Sequence, residues 1–88
     1  MSREIFWTKE AAKDLEHWKK ANRSIAVRIA KLVESIKHDP FKGIGKPEPL
    51  KDNFKAFWSR RINDEHRLIY NITNDLIEIH LCFGHYSQ

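Results

Sequence analysis

Ten positions divide this chain into two parts with different periods. Pro40, Gly43, Gly45, Pro47 and Pro49 all fall between residues 40 and 49. Before them apolar residues recur at helical spacing; after them they alternate. Proline lacks an N–H and fixes φ, and glycine turns where other residues cannot, so no long helix or strand runs through such a segment. Residues 40–55 are therefore expected to form a loop. The chain is therefore mainly helical before this segment and stranded after it, and its 88 residues fit a single domain spanning 1–88.

The N-terminal part opens with Ile5-Phe6-Trp7, a short apolar strand. Thr8 is placed to cap a helix, and Glu10 lies in the first turn, where the helix dipole favours an anion. Ala11, Leu15 and Trp18 then mark one helical stripe ending near Lys20. Asn22 or Ser24 can cap a second helix, whose stripe is Ile25, Ile29, Leu32 and Ile36 and which Pro40 stops at His38 or Asp39. A link this short makes an αα-hairpin.

Beyond the loop the period is two. Phe57–Ile62 reads as a strand, Asn63-Asp64-Glu65 as a turn, and the next strand sets Leu68, Tyr70 and Ile72 against Arg67, Ile69 and Asn71. After Asn74-Asp75 a last strand places Ile77, Ile79, Leu81 and Phe83 on one face, and His80 with Cys82 on the other. The expected fold class is α+β: a strand, a two-helix hairpin and an antiparallel meander, with the helices on one face of a small, mostly antiparallel sheet.

Composition narrows the function classes. Lys plus Arg number sixteen and Asp plus Glu twelve, a net charge of +4. Residues 40–67 carry seven basic groups against four acidic, with Phe41, Phe54, Phe57 and Trp58 among them. Cations interleaved with aromatics suit a phosphate backbone and its bases, although a solvated basic face over a core of aromatics has the same composition. The single cysteine, Cys82, excludes an internal disulfide and a cysteine-based zinc finger. No apolar stretch approaches a membrane span, and the N-terminus lacks the apolar region of a secretory signal, so a cytoplasmic protein is expected. No metal or cofactor site is expected.

Several residues have the chemistry for a site. Glu48 is held between two prolines, which stiffens its backbone in a way that would benefit a general base, although a Pro-Gly surface loop with ordinary charges has the same sequence. Lys46 and Lys51 beside it can hold a phosphate. Arg60, Arg61 and Arg67 bring three guanidinium groups near one turn, and arginine forks bind phosphate bidentately. His85 has a side chain suited to proton transfer near neutrality, and Tyr86 follows it.

These residues stand in an order that resembles a known family. The run Pro40-Phe41-Lys42-Gly43-Ile44-Gly45-Lys46-Pro47-Glu48-Pro49-Leu50-Lys51, then Phe57-Trp58-Ser59-Arg60-Arg61-Ile62, then Glu65-His66-Arg67-Leu68-Ile69-Tyr70, and finally His85-Tyr86, closely resembles the YoeB/Txe branch of the RelE-like toxins of type II toxin–antitoxin systems. The resemblance implies a RelE-like fold and a ribosome-dependent mRNA endonuclease acting in the A site. By position it assigns the catalytic glutamate to Glu48, the transition-state arginine to Arg67, the catalytic histidine and terminal tyrosine to His85 and Tyr86, and backbone contacts to Lys51 and Arg61. It also implies homodimers, a cognate antitoxin, and operator DNA bound only by the toxin–antitoxin complex. The chain departs from the family pattern at Phe83-Gly84, where many members carry a basic residue and a second aromatic, and Ser87-Gln88 extend past the tyrosine. The alternatives are a non-catalytic RelE/ParE-like toxin and a basic nucleic-acid-binding module. Keeping Glu48, Arg67 and His85 together argues against the first; the second predicts binding without strand scission.

Overall fold

The computed structural model describes residues 3–50 and 56–84. Strand β1 (Glu4–Trp7) leads into α1 (Lys9–Ala21) and α2 (Arg23–His38), followed by β2 (Glu48–Pro49), β3 (Phe57–Arg61), β4 (Arg67–Ile72) and β5 (Leu76–Leu81). The helix boundaries follow local chemistry. Thr8 accepts a hydrogen bond from the Ala11 amide through its hydroxyl, capping α1. Asn22 serves two helix ends: its amide donates to the Trp18 carbonyl, and its side-chain oxygen accepts from the Ile25 amide. One residue therefore closes α1 and opens α2, which makes the expected hairpin as tight as it can be.

The five strands form one sheet in the order β1-β5-β4-β3-β2. β1 runs parallel to β5, and the other neighbours are antiparallel. The α+β expectation holds, with both helices packed on one face. Ala11 and Trp18 of α1 and Ile29, Leu32 and Ile36 of α2 are buried against Leu68, Tyr70, Ile77 and Ile79. The other face carries Phe6, Glu48, Phe57, Ser59, Arg61, Arg67, Ile69 and Asn71, which follow from the pairings Glu48↔Ser59↔Ile69, Phe57↔Asn71 and Arg61↔Arg67. None of the described helices is long and apolar enough to cross a membrane.

Two expectations are corrected. The loop expected over 40–55 contains a strand: Glu48-Pro49 pair with Ser59-Trp58, and the Leu50 amide donates to the Phe57 carbonyl. A two-residue strand edged by prolines leaves no alternating pattern to read. The second correction concerns β5. Ile69 lies opposite Leu81 but Tyr70 lies opposite Ile79, so His80 is an extra residue in the ladder. The bulge resets the alternation. Cys82 joins Ile77 and Ile79 in the core, whereas Leu81 and Phe83 leave it and His80 meets the Phe57 ring at 4.9 Å. His80 and Cys82 therefore lie on opposite faces.

Arg60 occupies the centre of the packed face. It is fully buried, and among the described residues no carboxylate pairs with it. Nε donates to the Tyr70 hydroxyl (3.1 Å), Nη1 to Ser35 Oγ (2.7 Å) and the Ile44 carbonyl (3.1 Å), and Nη2 to the carbonyls of Asp39 (2.7 Å) and Lys42 (3.0 Å). Tyr70 passes the network on to the Pro40 carbonyl at 2.7 Å. Burial pushes the Tyr70 phenol above its ordinary value, outweighing the hydrogen bond and the positive charge of Arg60, which pull it down. A buried donor set of this kind is expensive to leave half-paired. Arg60→Lys keeps the charge but supplies too few donors in the wrong geometry. It should cost about 2–4 kcal/mol, read as a fall in melting temperature of about 10–25 °C.

Cys82 gives a second prediction. Burial, with the negative charge of Asp14 beside it, pushes the thiol from 9.0 up to about 12. The folded state favours the neutral thiol, so this contribution is complete below pH 9 and is lost as pH rises toward 12. Denaturant titrations should show stability declining across that window, and Cys82→Ala should flatten the decline.

Candidate active face

The face of the sheet away from the helices gathers the residues with chemistry, beginning with Glu48. The chain reaches it through three residues with positive φ: Gly43 at 130°, Gly45 at 85° and Lys46 at 51°. Gly45 has no room for a side chain, since a Cβ there would sit 2.6 Å from Leu32 Cδ2, and its carbonyl accepts from the Arg61 amide at 2.7 Å. Lys46 takes the left-handed conformation without the freedom of glycine, a strained geometry that the fixed neighbours on both sides hold in place. Pro47 follows, and Glu48 then pairs with Ser59. Its carboxylate is exposed at the sheet edge with Lys46 exposed just before it.

Arg61 and Arg67 lie directly opposite each other one step along the same face. The Cα atoms of Glu48 and Arg67 are two strands and two residues apart, on the order of 12 Å at standard sheet spacings, a span that two long side chains and a phosphate can close. Among the described residues the Arg61 side chain has no hydrogen-bond partner. Arg67 curls over the 63–66 turn, where Nη1 donates to the carbonyls of Asn63 (2.6 Å), His66 (3.1 Å) and Asp64 (3.4 Å). Its Nε and Nη2 have no acceptor among the described residues and remain available to an anion.

The chain that follows β5 is secured beside Arg67. The α1 helix holds Cys82 at three points one or two turns apart: its amide donates to Asp14 Oδ2 (3.0 Å), its thiol to the Ala11 carbonyl (3.6 Å), and its carbonyl accepts from Trp18 Nε1 (2.8 Å). Phe83 stacks on Trp18 with centroids 5.1 Å apart. At Gly84, which has a φ of 76°, the carbonyl accepts from the Arg67 amide and the amide donates to His66 Nδ1, both at 2.7 Å. The chain is thus fixed to the Arg67 strand at the last residue before His85.

The expected site residues divide into three groups. Glu48, Lys46, Arg61 and Arg67 lie on or at the border of the open face. Lys51, His85 and Tyr86 lie outside the described residues. Arg60 is a correction: strand alternation points it to the side opposite Arg61, and its guanidinium donors are taken up by Tyr70, Ser35 and the 39–44 carbonyls, so it has none to offer to RNA. Trp18 is in the core as its place in the helical stripe implies, but its bond to Cys82 and that of His66 to Gly84 rest on partners 64 and 18 positions away, which no local signal shows. Among the described residues no group of three or more His, Cys, Asp or Glu is placed to hold a metal.

A two-helix hairpin on one face of a five-stranded mixed sheet, with Glu48, Arg61 and Arg67 on the other face, defines a small basic α+β protein. The comparisons with known proteins assign the chain more narrowly. Residues 7–86 match the model of the YoeB-like toxin of bacterial type II toxin-antitoxin systems. The toxin YoeB of Escherichia coli K12 is 43% identical over 82 residues, covering 93% of this chain and 98% of that protein. The YoeB dimer from Staphylococcus aureus superposes with a TM-score of 0.89 at 36% identity, covering 98% of this chain and 100% of that one. YoeB in the YoeB–YefM complex of the same organism gives 0.85 at 37% identity, with the same coverage. The chain belongs to the YoeB-like family and is a toxin of a type II toxin–antitoxin system.

Because the Arg61 side chain is exposed, Arg61→Ala should leave stability within about 0.5 kcal/mol of the parent. A thermal melt distinguishes this from the large loss expected at the neighbouring Arg60.

Proposed function

We propose that this toxin is a ribosome-dependent mRNA endonuclease that cuts in the A site and stops translation without a metal or cofactor. The observation that supports this reading best is that Glu48, Arg61 and Arg67 share the open sheet face, with the chain leading to His85 tied to the Arg67 amide.

The chemistry follows from what RNA scission needs. Glu48 takes the proton of the 2′-hydroxyl, and the 2′-oxygen attacks the adjacent phosphorus. Arg67 stabilises the pentacoordinate phosphorane with the donors that the turn leaves unused. His85 gives a proton to the departing 5′-oxygen as the P–O5′ bond breaks, leaving a 2′,3′-cyclic phosphate that water can open to a 3′-phosphate. Arg61, Lys51 and Lys46 hold the backbone as cations, and Tyr86 stacks on a base to set its position. Arg60 contributes only through the fold.

The partners follow the same reading. The Staphylococcus aureus relatives are described as a dimer and as a complex with YefM; we extend both to this chain as a homodimer and a cognate antitoxin, with operator DNA bound by the toxin–antitoxin complex. The cytoplasm, where mRNA is translated, is the proposed compartment.

Primer extension on an mRNA under translation in a purified system tests this. A discrete cut within the A-site codon is expected only with ribosomes present. Glu48→Ala and His85→Ala should each slow it by about a hundredfold or more, and a 2′-deoxy nucleotide at the cut should abolish it. Intact mRNA with stalled ribosomes would mean binding without scission. Intact mRNA with undisturbed translation would turn the search to protein targets.

A further inference from the structure

We infer that His66 is a positioning residue for the scission step, acting through the hydrogen bond its Nδ1 accepts from the Gly84 amide; this rests on the nuclease reading above. His66 lies in the turn before β4, held from below by Asn63, whose side-chain oxygen accepts from the amides of Glu65 and His66. Its own carbonyl accepts from the amides of Ile62 and Asn63 and from Arg67 Nη1. Both backbone groups of this residue are therefore fixed. The ring is fixed as well, edge-on to Trp18 at 4.8 Å and tilted against Phe83 at 5.0 Å. A side chain restrained in this way presents its Nδ1 lone pair at one place, and that place is 2.7 Å from the Gly84 amide.

Two consequences follow. An Nδ1 that accepts carries no proton, so the ring is in the neutral form with its hydrogen on Nε2. More importantly, the same two-residue unit, His66-Arg67, holds Gly84 at both ends: the ring takes the amide and the Arg67 amide meets the carbonyl. Gly84, the last described residue before His85, is thereby oriented against the strand that carries Arg67. An acid and a phosphate-binding arginine must be held to a fraction of an ångström to act in one step. His66 ties the chain leading to the one to the strand carrying the other. Gly84 adopts a positive φ, and a Cβ there would meet nothing among the described residues, so these two bonds hold the backbone where packing on a side chain does not.

Two variants separate the acceptor from the ring. His66→Phe keeps the contacts with Trp18 and Phe83 and removes the acceptor. His66→Asn removes the ring but places an oxygen near the Nδ1 position. Single-turnover cleavage on saturating, programmed ribosomes should slow by about tenfold to a hundredfold in His66→Phe, while ribosome affinity stays within about twofold. His66→Asn should recover most of the rate. Hydrogen exchange of the Gly84 amide should accelerate in the Phe variant and be slowed again in the Asn variant. Cleavage at the parent rate by His66→Phe, or an Asn variant no faster than the Phe variant, would overturn the positioning role while leaving the nuclease intact. No scission by the parent chain would overturn the nuclease reading itself, and the role of His66 with it.

Discussion

A guanidinium buried without a carboxylate partner is an unusual thing for a small protein to keep, because desolvating a charge costs several kcal/mol unless its donors are used. Arg60 uses them on the backbone of the segment that proline and glycine leave without regular structure. The carbonyls of Asp39, Lys42 and Ile44, with Pro40 held through Tyr70, all point toward one planar group. The loop is thus organised as a shell around a cation. Gly43 and Gly45 are required by the same arrangement, since a side chain at either would strike Ser35 or Leu32. This shell aims the chain into β2 and carries Glu48 to the sheet edge. The position of the proposed base depends on a residue that faces away from it.

The same strand divides the labour between stability and chemistry by simple alternation. Ser59 and Arg61 look outward while Arg60 looks inward, so two adjacent arginines have unrelated roles. A one-residue slip of β3 would reverse which of the two arginines faces the helices. The bulge at His80 is a second device of this kind. It turns Cys82 into the core, where α1 can hold it, and so delivers Phe83 and Gly84 to Trp18 and His66.

Much of this was legible in the sequence, and the reasons are local. Thr8 and Asn22 announce helix ends through their own side chains, and the apolar stripes of both helices and the alternation from Phe57 onward each encode a face. The order of Glu48, Arg61, Arg67, His85 and Tyr86 carried the family resemblance. What escaped depended on distant partners. Nothing near Arg60 says that the carbonyls of residues 39–44 will surround it, and composition ranks it with the other basic residues. The bulge leaves no mark because His80 fits an alternating pattern until the opposite strand is known. β2 is too short to show a period. His66 looks like an ordinary turn residue until Gly84 is brought against it.

The edges of the sheet are not equivalent. In β2 the groups of Leu50 point inward to Phe57, and by the alternation of an antiparallel ladder those of residues 47 and 49 point outward. Both are prolines, so the outer rim beside Glu48 has no N–H to offer in the positions where an incoming strand would seek one. At the opposite rim β1 runs through four residues without a proline. The two rims therefore differ in what they offer to a neighbouring strand: β1 is not interrupted by proline, whereas the outward positions beside Glu48 carry carbonyls but no N–H.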